Sequence, residues 1–156
     1  MQPALTSPVS NRHERLAFMG EAITIRLDGR DTAGALAVIE HEMPLGLATP
    51  LHVHPNEDEA LLVRDGVLTV QLAGRNFVAT RGDVVWLPRG VPHAFRVASD
   101  TASVVALATP AGHEAFFRAA GDPVDVPTSP PDLERIARAA ALAGFEILGP
   151  PPFDED

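Results

Sequence analysis

The sequence contains no cysteine, no tyrosine and no lysine, so arginine supplies all 12 of its basic residues. These absences exclude thiolate nucleophiles, zinc–thiolate sites, Schiff-base lysines and tyrosine general acids. No Gly-x-Ser-x-Gly segment marks a serine nucleophile either. Without a thiol, cysteine usage says nothing about the redox compartment. The reactive side chains that remain are those of His, Asp, Glu and Arg.

Basic clusters and long apolar runs are also missing. The formal net charge of -9 argues against a nucleic-acid partner, and no aromatic–basic cluster indicates one. No apolar run reaches the length of a membrane span, and the N-terminus lacks the pattern of a secretory signal. We therefore expect a cytoplasmic protein without a membrane partner. The length of 156 residues and the hydrophobic content of 46% fit one globular domain.

Short alternating segments, separated by Gly-containing turns, make up most of the chain. In the segment 33–43 the pattern does not decide which face points inward. Such a rhythm is typical of an all-β sandwich or barrel. The predicted strands are 21–27, 33–43, 50–54, 59–64, 67–72, 75–80, 83–87, 92–98 and 102–109.

The pattern changes to helical after residue 110. A helix over 112–120 is expected to cover one end of the barrel with Phe116 and Phe117. Ser129 is the predicted N-cap of a last helix, since Pro130 would occupy its first position. The apolar stripe that should cover a surface is Leu133, Ile136, Ala137 and Ala140. The predicted segments are a flexible arm at 1–14, a β-barrel at 15–110, a C-terminal helical extension at 111–149 and a loose acidic tail at 150–156.

Four candidate metal ligands lie between residues 46 and 93. A strand's period of two places His52 and His54 on one face. Glu59 opens the next predicted strand, and His93 starts the strand that follows a Pro-Arg-Gly turn. Three imidazoles and a carboxylate suit one divalent ion such as Fe, Mn, Co, Ni, Cu or Zn, with one or two positions left for water or substrate. Glu59 has two predicted roles, as a ligand or as an uncoordinated catalytic base.

These spacings resemble the two sequence motifs of the cupin superfamily. In the second motif Val97 stands where the family usually has Asn, which would make the pocket more apolar. The resemblance implies a single cupin double-stranded β-helix, a jelly-roll barrel of two antiparallel sheets. The positions that match the family are Gly46, His52, His54, Glu59 and Gly66 in the first motif and Gly82, Pro88, Gly90 and His93 in the second.

The resemblance is greatest to small single-domain cupins likened to quercetinases. It implies a metal-dependent dioxygenase acting on a chelating aromatic or enol-type small molecule. Glu59 would take a proton from the chelated hydroxyl, and dioxygen would cleave a carbon–carbon bond. The alternatives are a non-enzymatic metal-dependent binding protein and a metal-dependent isomerase or decarboxylase. The family also implies a homodimer.

Strand alternation extends the predicted site to a substrate pocket. Leu61 and Val63 follow Glu59 inward, and Phe95 and Val97 follow His93, so the wall is apolar. Such a pocket suits a flat or hydrophobic ligand with a chelating pair of oxygens.

Other polar residues near the motifs receive weaker predictions. His41 is a candidate pocket residue near the metal, with a merely packed or exposed strand residue as the alternative, whereas His13 and His113 are expected to be unrelated to the site. We expect Glu57 and Asp58 to be solvated turn acids. We also expect Arg89 to be solvated, with anion binding as the alternative, and Trp86 to serve the core or a subunit contact.

Overall fold

The computed structural model describes residues 14–127 and 129–154. The predicted arm lies outside the described residues except for Glu14, and so does His13. The strands are β1 (Glu14–Phe18), β2 (Glu21–Leu27), β3 (Ala37–Pro44), β4 (Leu51–Val53), β5 (Asp58–Asp65), β6 (Val67–Leu72), β7 (Arg75–Thr80), β8 (Val84–Leu87), β9 (His93–Val97), β10 (Thr101–Thr109), β11 (Asp122–Pro123) and β12 (Glu146–Gly149). The helices are α1 (Gly29–Thr32), α2 (His113–Ala120) and α3 (Leu133–Ala143).

The strands form two antiparallel sheets. One sheet has the order β11-β1-β2-β3-β10-β5-β8, and the other has the order β12-β4-β9-β6-β7. Side chains of both sheets share one buried cluster, which includes Val63 and Val104 from the first sheet and Leu68 and Val97 from the second. The predicted all-β jelly-roll architecture with short C-terminal helices is confirmed.

All nine predicted strands are present, and eight of them have ends within one residue of the prediction. The exception is β3, which begins at Ala37 because residues 29–32 form α1 instead of a turn. Asp28 caps this helix, and Ala33 ends it with a left-handed backbone at φ 53°. In β3 the inward face carries Ala37, Ile39, His41 and Met43.

A second hydrophobic cluster lies between the large sheet and the helices. Phe116 and Phe117 belong to it together with Ile23 and Ile39 of that sheet. No helix among the described residues combines the length and the hydropathy that a membrane crossing requires.

The start and buried face of α3 differ from the prediction. Asp132, not Ser129, caps the helix, since its side chain accepts a hydrogen bond of 2.9 Å from the Arg135 amide. Leu133 is 74% exposed, and Ala137 is exposed as well. The stripe that faces the core has the expected spacing but starts one turn later, at Ile136, Ala139, Ala140 and Ala143.

The segment predicted as a helical extension also contributes strands to both sheets. β11 pairs with β1, a strand that the sequence analysis missed, and β12 pairs with β4. Two hydrogen bonds involve the described part of the tail: the Leu51 amide donates to the Pro150 carbonyl at 3.4 Å, and the Arg96 guanidinium donates to the Asp154 carbonyl at 2.8 Å. The C-terminal segment therefore borders the strand that carries His52.

Candidate metal centre

Three histidines meet on the inner face of the smaller sheet. His52 on β4 lies in register with His93 on β9, and His54 follows β4 by one residue. The ring centroids are 4.5 Å apart for His52 and His93, 4.9 Å for His52 and His54, and 5.1 Å for His54 and His93. One ring nitrogen of each histidine lies within 4.8 Å of the others. The strand pairing thus brings together residues that are 41 positions apart in sequence.

Each of these imidazoles has its Nδ1 atom paired with an oxygen. The distances are 2.7 Å from His52 to the Pro50 carbonyl, 3.1 Å from His93 to the Val91 carbonyl, and 3.0 Å from His54 to the Glu57 carboxylate. Carbonyl and carboxylate oxygens only accept, so Nδ1 carries the proton in each ring. In the neutral rings Nε2 therefore has its lone pair available for a metal ion.

The three imidazoles fit a divalent metal ion. The Nε2 atoms of His54 and His93 are buried and have no hydrogen-bond partner among the described residues. A buried unpaired nitrogen is costly unless an ion or ligand binds it. Burial, with a contribution from the neighbouring imidazoles, lowers the pKa of His52 to about 3 and that of His93 to about 4. Both rings are thus neutral at physiological pH, as metal ligation requires.

Glu59 reaches the same centre from β5 in the larger sheet. Its Oε2 atom lies 3.6 Å from Nε2 of His54 and 3.9 Å from Nε2 of His93, and its side chain is buried. Burial is the main cause that raises the pKa of the Glu59 carboxyl above its usual value. The carboxylate is placed both to join an ion held by the imidazoles and to accept a proton from a bound ligand.

A cavity of about 110 Å³ extends from this centre between the two hydrophobic clusters. Its wall is mostly apolar and includes Leu61 and Phe95, which were predicted to line the pocket. His41 also lies on this wall, where its Nδ1 atom is 2.9 Å from the Glu21 carboxylate. The cavity thus has imidazoles and a carboxylate at one end and aromatic rings around it.

The comparison with known proteins identifies the family. The model of the Cupin domain matches residues 39–110, which contain all four predicted ligands. The chain belongs to the cupin superfamily. The cupin is 31% identical over 145 residues to a quercetin 2,3-dioxygenase of Bacillus subtilis, an alignment that covers 89% of this chain and 43% of that protein. It therefore spans less than half the length of this curated relative.

Solved structures share the fold. An RmlC-like cupin from Shewanella frigidimarina matches with a TM-score of 0.59 and 18% identity over 73% of this chain and 98% of that one. KdgF from Halomonas sp. matches with a TM-score of 0.56 and 20% identity over 62% and 85% of the two chains. The polyketide cyclase RemF from Streptomyces resistomycificus matches with a TM-score of 0.52 and 22% identity over 70% and 79%. At these identities the likeness concerns the fold alone.

Glu57 is not the solvated turn acid that we expected in this cupin. It is 3% exposed, and its carboxylate accepts the Nδ1 hydrogen bond of His54. Strand alternation could have found it, because Glu57 has the same parity as Glu59. Asp58 has the opposite parity and forms an ion pair of 2.9 Å with Arg89, so this pair too is not simply solvated.

His113 lies at the candidate centre although the sequence analysis placed it elsewhere. It begins α2, is 5% exposed, and has its ring centroid 5.1 Å from that of His54. Its ring stacks on Phe117 at 5.2 Å. The Nδ1 atom is buried without a hydrogen-bond partner among the described residues, and burial lowers the pKa of His113 well below 6.5. The available signal was the i, i+4 spacing to Phe117, which was expected to face the barrel.

Two predicted pocket residues lie away from the cavity. Val63 and Val97 are fully buried in the cluster between the sheets and do not belong to the cavity wall. The alternation of side chains predicted the correct face of each strand but not how far along the strand the cavity extends. Val63 lies four residues beyond Glu59, a distance of roughly 13 Å along a strand. The departure from the family pattern at Val97 therefore affects the packed core and not the cavity surface.

Proposed function

We propose that the chain is a metal-dependent dioxygenase that acts on an aromatic or enol-type small molecule with a chelating pair of oxygens. The observation that carries this proposal is the cluster of three imidazoles on an apolar cavity, two of which, His54 and His93, have buried unpaired Nε2 atoms within 3.9 Å of the Glu59 carboxylate. The likeness to a quercetin 2,3-dioxygenase over 89% of the chain supports it and indicates dioxygen as the second substrate.

His52, His54 and His93 would hold one divalent ion through their Nε2 atoms. The donor set suits Fe, Mn, Co, Ni, Cu or Zn, and a bound ion would supply Lewis-acid polarisation of the substrate oxygens. The Nδ1 hydrogen bonds fix the orientation of each ring before anything binds. These residues therefore have an organising role that does not change during the reaction.

Glu59 would remove the proton of the substrate hydroxyl through Oε2. Its pKa is raised by burial, and a carboxylate with a pKa nearer to neutrality is a stronger base. The apolar wall formed by residues such as Leu61 and Phe95 would bind the flat ring of the substrate and exclude water. The deprotonated substrate, held in this environment, is the species that would react with dioxygen.

The experiment that tests the function combines metal analysis with oxygen uptake. Protein purified without added metal is analysed for transition metals and then mixed with a flavonol in an oxygen electrode. We expect a stoichiometric metal ion and oxygen uptake, both lost in the double variant His52→Ala, His54→Ala. Metal without oxygen uptake would refute the dioxygenase and favour a binding protein or an oxygen-independent isomerase or decarboxylase.

We further propose that the chain forms a homodimer. The edge strand β8 leaves Trp86 and Val84 53% and 63% exposed, which an association of two copies would cover. Sedimentation of the wild type and of Trp86→Ala would test this. A cytoplasmic location stays a prediction of the sequence.

A further inference from the structure

A buried carboxylate–imidazole pair lies on the cavity wall formed by the larger sheet. Glu21 begins β2 and His41 lies on β3, whereas the three histidines of the candidate metal centre belong to the smaller sheet or follow it directly. Glu21 is 8% exposed and His41 is 7% exposed, and the Oε2 and Nδ1 atoms are 2.9 Å apart. The pair is not among the proposed metal ligands, so its position on the cavity wall indicates another role.

The Glu21 contact leaves one nitrogen of His41 available to the cavity. Because a carboxylate oxygen accepts, Nδ1 carries the proton. The Nε2 atom has no hydrogen-bond partner among residues 14–127 and 129–154, and the residue borders the cavity. A neutral ring accepts a hydrogen bond at Nε2 and a protonated ring donates one, so a hydroxyl of a ligand is a suitable partner in either state. Burial lowers the pKa of His41, but Glu21 and, to a smaller extent, Glu59 outweigh this and raise it.

The rest of this wall offers few polar groups. An edge of Phe117 lies against His41, with the ring centroids 5.3 Å apart, and Phe18, Phe116 and Met43 also line the cavity. In a mostly apolar cavity each fixed nitrogen, here Nε2 of His41 and Nδ1 of His113, limits where a polar group of the ligand can lie. A ligand without a matching hydroxyl would leave Nε2 buried and unpaired, which costs binding free energy.

His41 and Glu59 start from different positions along the sheet. His41 is in register with Val104 of β10, whereas Glu59 is in register with Ala108, four residues further along the same strand. Four residues correspond to roughly 13 Å along a strand. Both side chains nevertheless border the same cavity, so one ligand can contact both groups.

We propose that Nε2 of His41, positioned by Glu21, binds a hydroxyl of the ligand other than the chelating oxygens, so that the cavity selects aromatics with a further hydroxyl. This inference rests on the proposed function, because the other end of the ligand is held at the metal centre. His41 acts as a specificity-determining residue and Glu21 as its positioning residue.

The test compares two flavonols that differ in remote hydroxyls. Both quercetin and 3-hydroxyflavone have the chelating 3-hydroxy-4-keto pair, but only quercetin has further hydroxyls. Zinc-loaded protein is used because zinc has no redox chemistry, and binding is followed by the flavonol absorption band. His41→Leu is expected to weaken quercetin binding by about ten- to a hundredfold, as for a lost hydrogen bond to a buried group. The same variant should change 3-hydroxyflavone binding by less than about threefold.

Three further variants separate a binding role from a structural one. His41→Gln keeps a side chain that donates and accepts hydrogen bonds, so it should recover most of the quercetin affinity. Glu21→Gln keeps the shape but removes the charge that orients the ring, and it should give an intermediate loss. The control is Glu40→Gln on the same strand, where Glu40 pairs with Arg26 at 2.9 Å on the outer face. It should bind both flavonols like the wild type, and all variants should retain zinc.

The outcomes distinguish this inference from the proposed function. A loss for quercetin alone in His41→Leu, with recovery in His41→Gln, supports the role of His41. Equal binding of quercetin by wild type and His41→Leu, or an equal loss for both flavonols, overturns that role and leaves the metal-dependent function standing. Failure of wild-type protein to bind either flavonol overturns both. If His41→Leu does not fold, Glu21→Gln decides: a loss for quercetin alone supports the role, and equal binding of quercetin or an equal loss for both flavonols overturns it.

Discussion

Glu57 gives the sharpest prediction about the metal centre, because it touches a proposed ligand without being one. Its carboxylate accepts the Nδ1 hydrogen bond of His54 at 3.0 Å, and it is 3% exposed. This contact fixes the His54 ring with Nε2 directed at the candidate site and makes that nitrogen a better donor. We expect Glu57→Gln to keep the ring in place through the amide oxygen but to lose the effect of the charge.

The expected size of the effect follows from the behaviour of such outer partners. Their loss costs about ten- to a hundredfold in metal affinity, or about 1.4 to 2.7 kcal/mol. Glu57→Gln should fall at the lower end and Glu57→Ala at the upper end, since alanine also releases the ring. Zinc affinity is measured by competition with a chromogenic chelator at fixed pH.

The neighbouring carboxylate is a matched control. Asp58 pairs with the half-exposed Arg89 and does not touch the three imidazoles. Asp58→Asn should therefore change zinc affinity by less than about threefold, since exposed ion pairs contribute little. Wild-type affinity in both Glu57 variants would refute the reasoning, and so would an equal loss in Asp58→Asn.

Three further predictions concern stability. Gly66→Ala should destabilise the fold far more than Gly74→Ala: both have positive φ, but at residue 66 a Cβ would collide with a neighbouring backbone, whereas nothing lies within 4 Å at residue 74. Urea denaturation should show a cost of about 1 to 2 kcal/mol for Gly74→Ala, and equal losses would contradict the steric argument. His113→Leu removes a buried unpaired nitrogen, so metal-free protein should gain about 1 kcal/mol; a clear loss in the same denaturation experiment would contradict this. Burial raises the pKa of Asp28, but hydrogen bonds from arginines including Arg118 outweigh it and hold that pKa well below 3.8, so the ionised carboxylate stabilises the fold above that pH. The free energy of unfolding should fall as pH drops below about 4, and it should fall less steeply in Asp28→Asn. An identical pH dependence in the two proteins would argue against the ion pairs.

The parts of the molecule that sequence reasoning predicts well depend on short-range patterns. Strand alternation and Gly-containing turns gave the nine central strands, because each sheet face is either buried or exposed. The spacing of His52, His54, Glu59 and His93 gave a set of residues that the structure brings together. Local periodicity and motif spacing were sufficient for both.

The parts that were missed depend on contacts between distant segments. β12 is recognisable only as a partner of β4, and His113 approaches His54 only because α2 folds back over the barrel. Whether Val63 lines the cavity likewise depends on where the cavity ends along its strand. Periodicity along one element cannot report such distances, so these features required the three-dimensional structure.

The central claim is that His52, His54 and His93 hold one metal ion. Zinc added in excess to metal-free protein, followed by gel filtration and elemental analysis, tests it most directly in the wild type, in His93→Ala and in His41→Leu. We predict one ion per chain in the wild type and in His41→Leu, and clearly less than one in folded His93→Ala, because losing a direct ligand should cost more affinity than the roughly ten- to hundredfold that losing an outer partner costs. An unloaded wild type, or a His93→Ala variant that retains a full ion, would contradict the account.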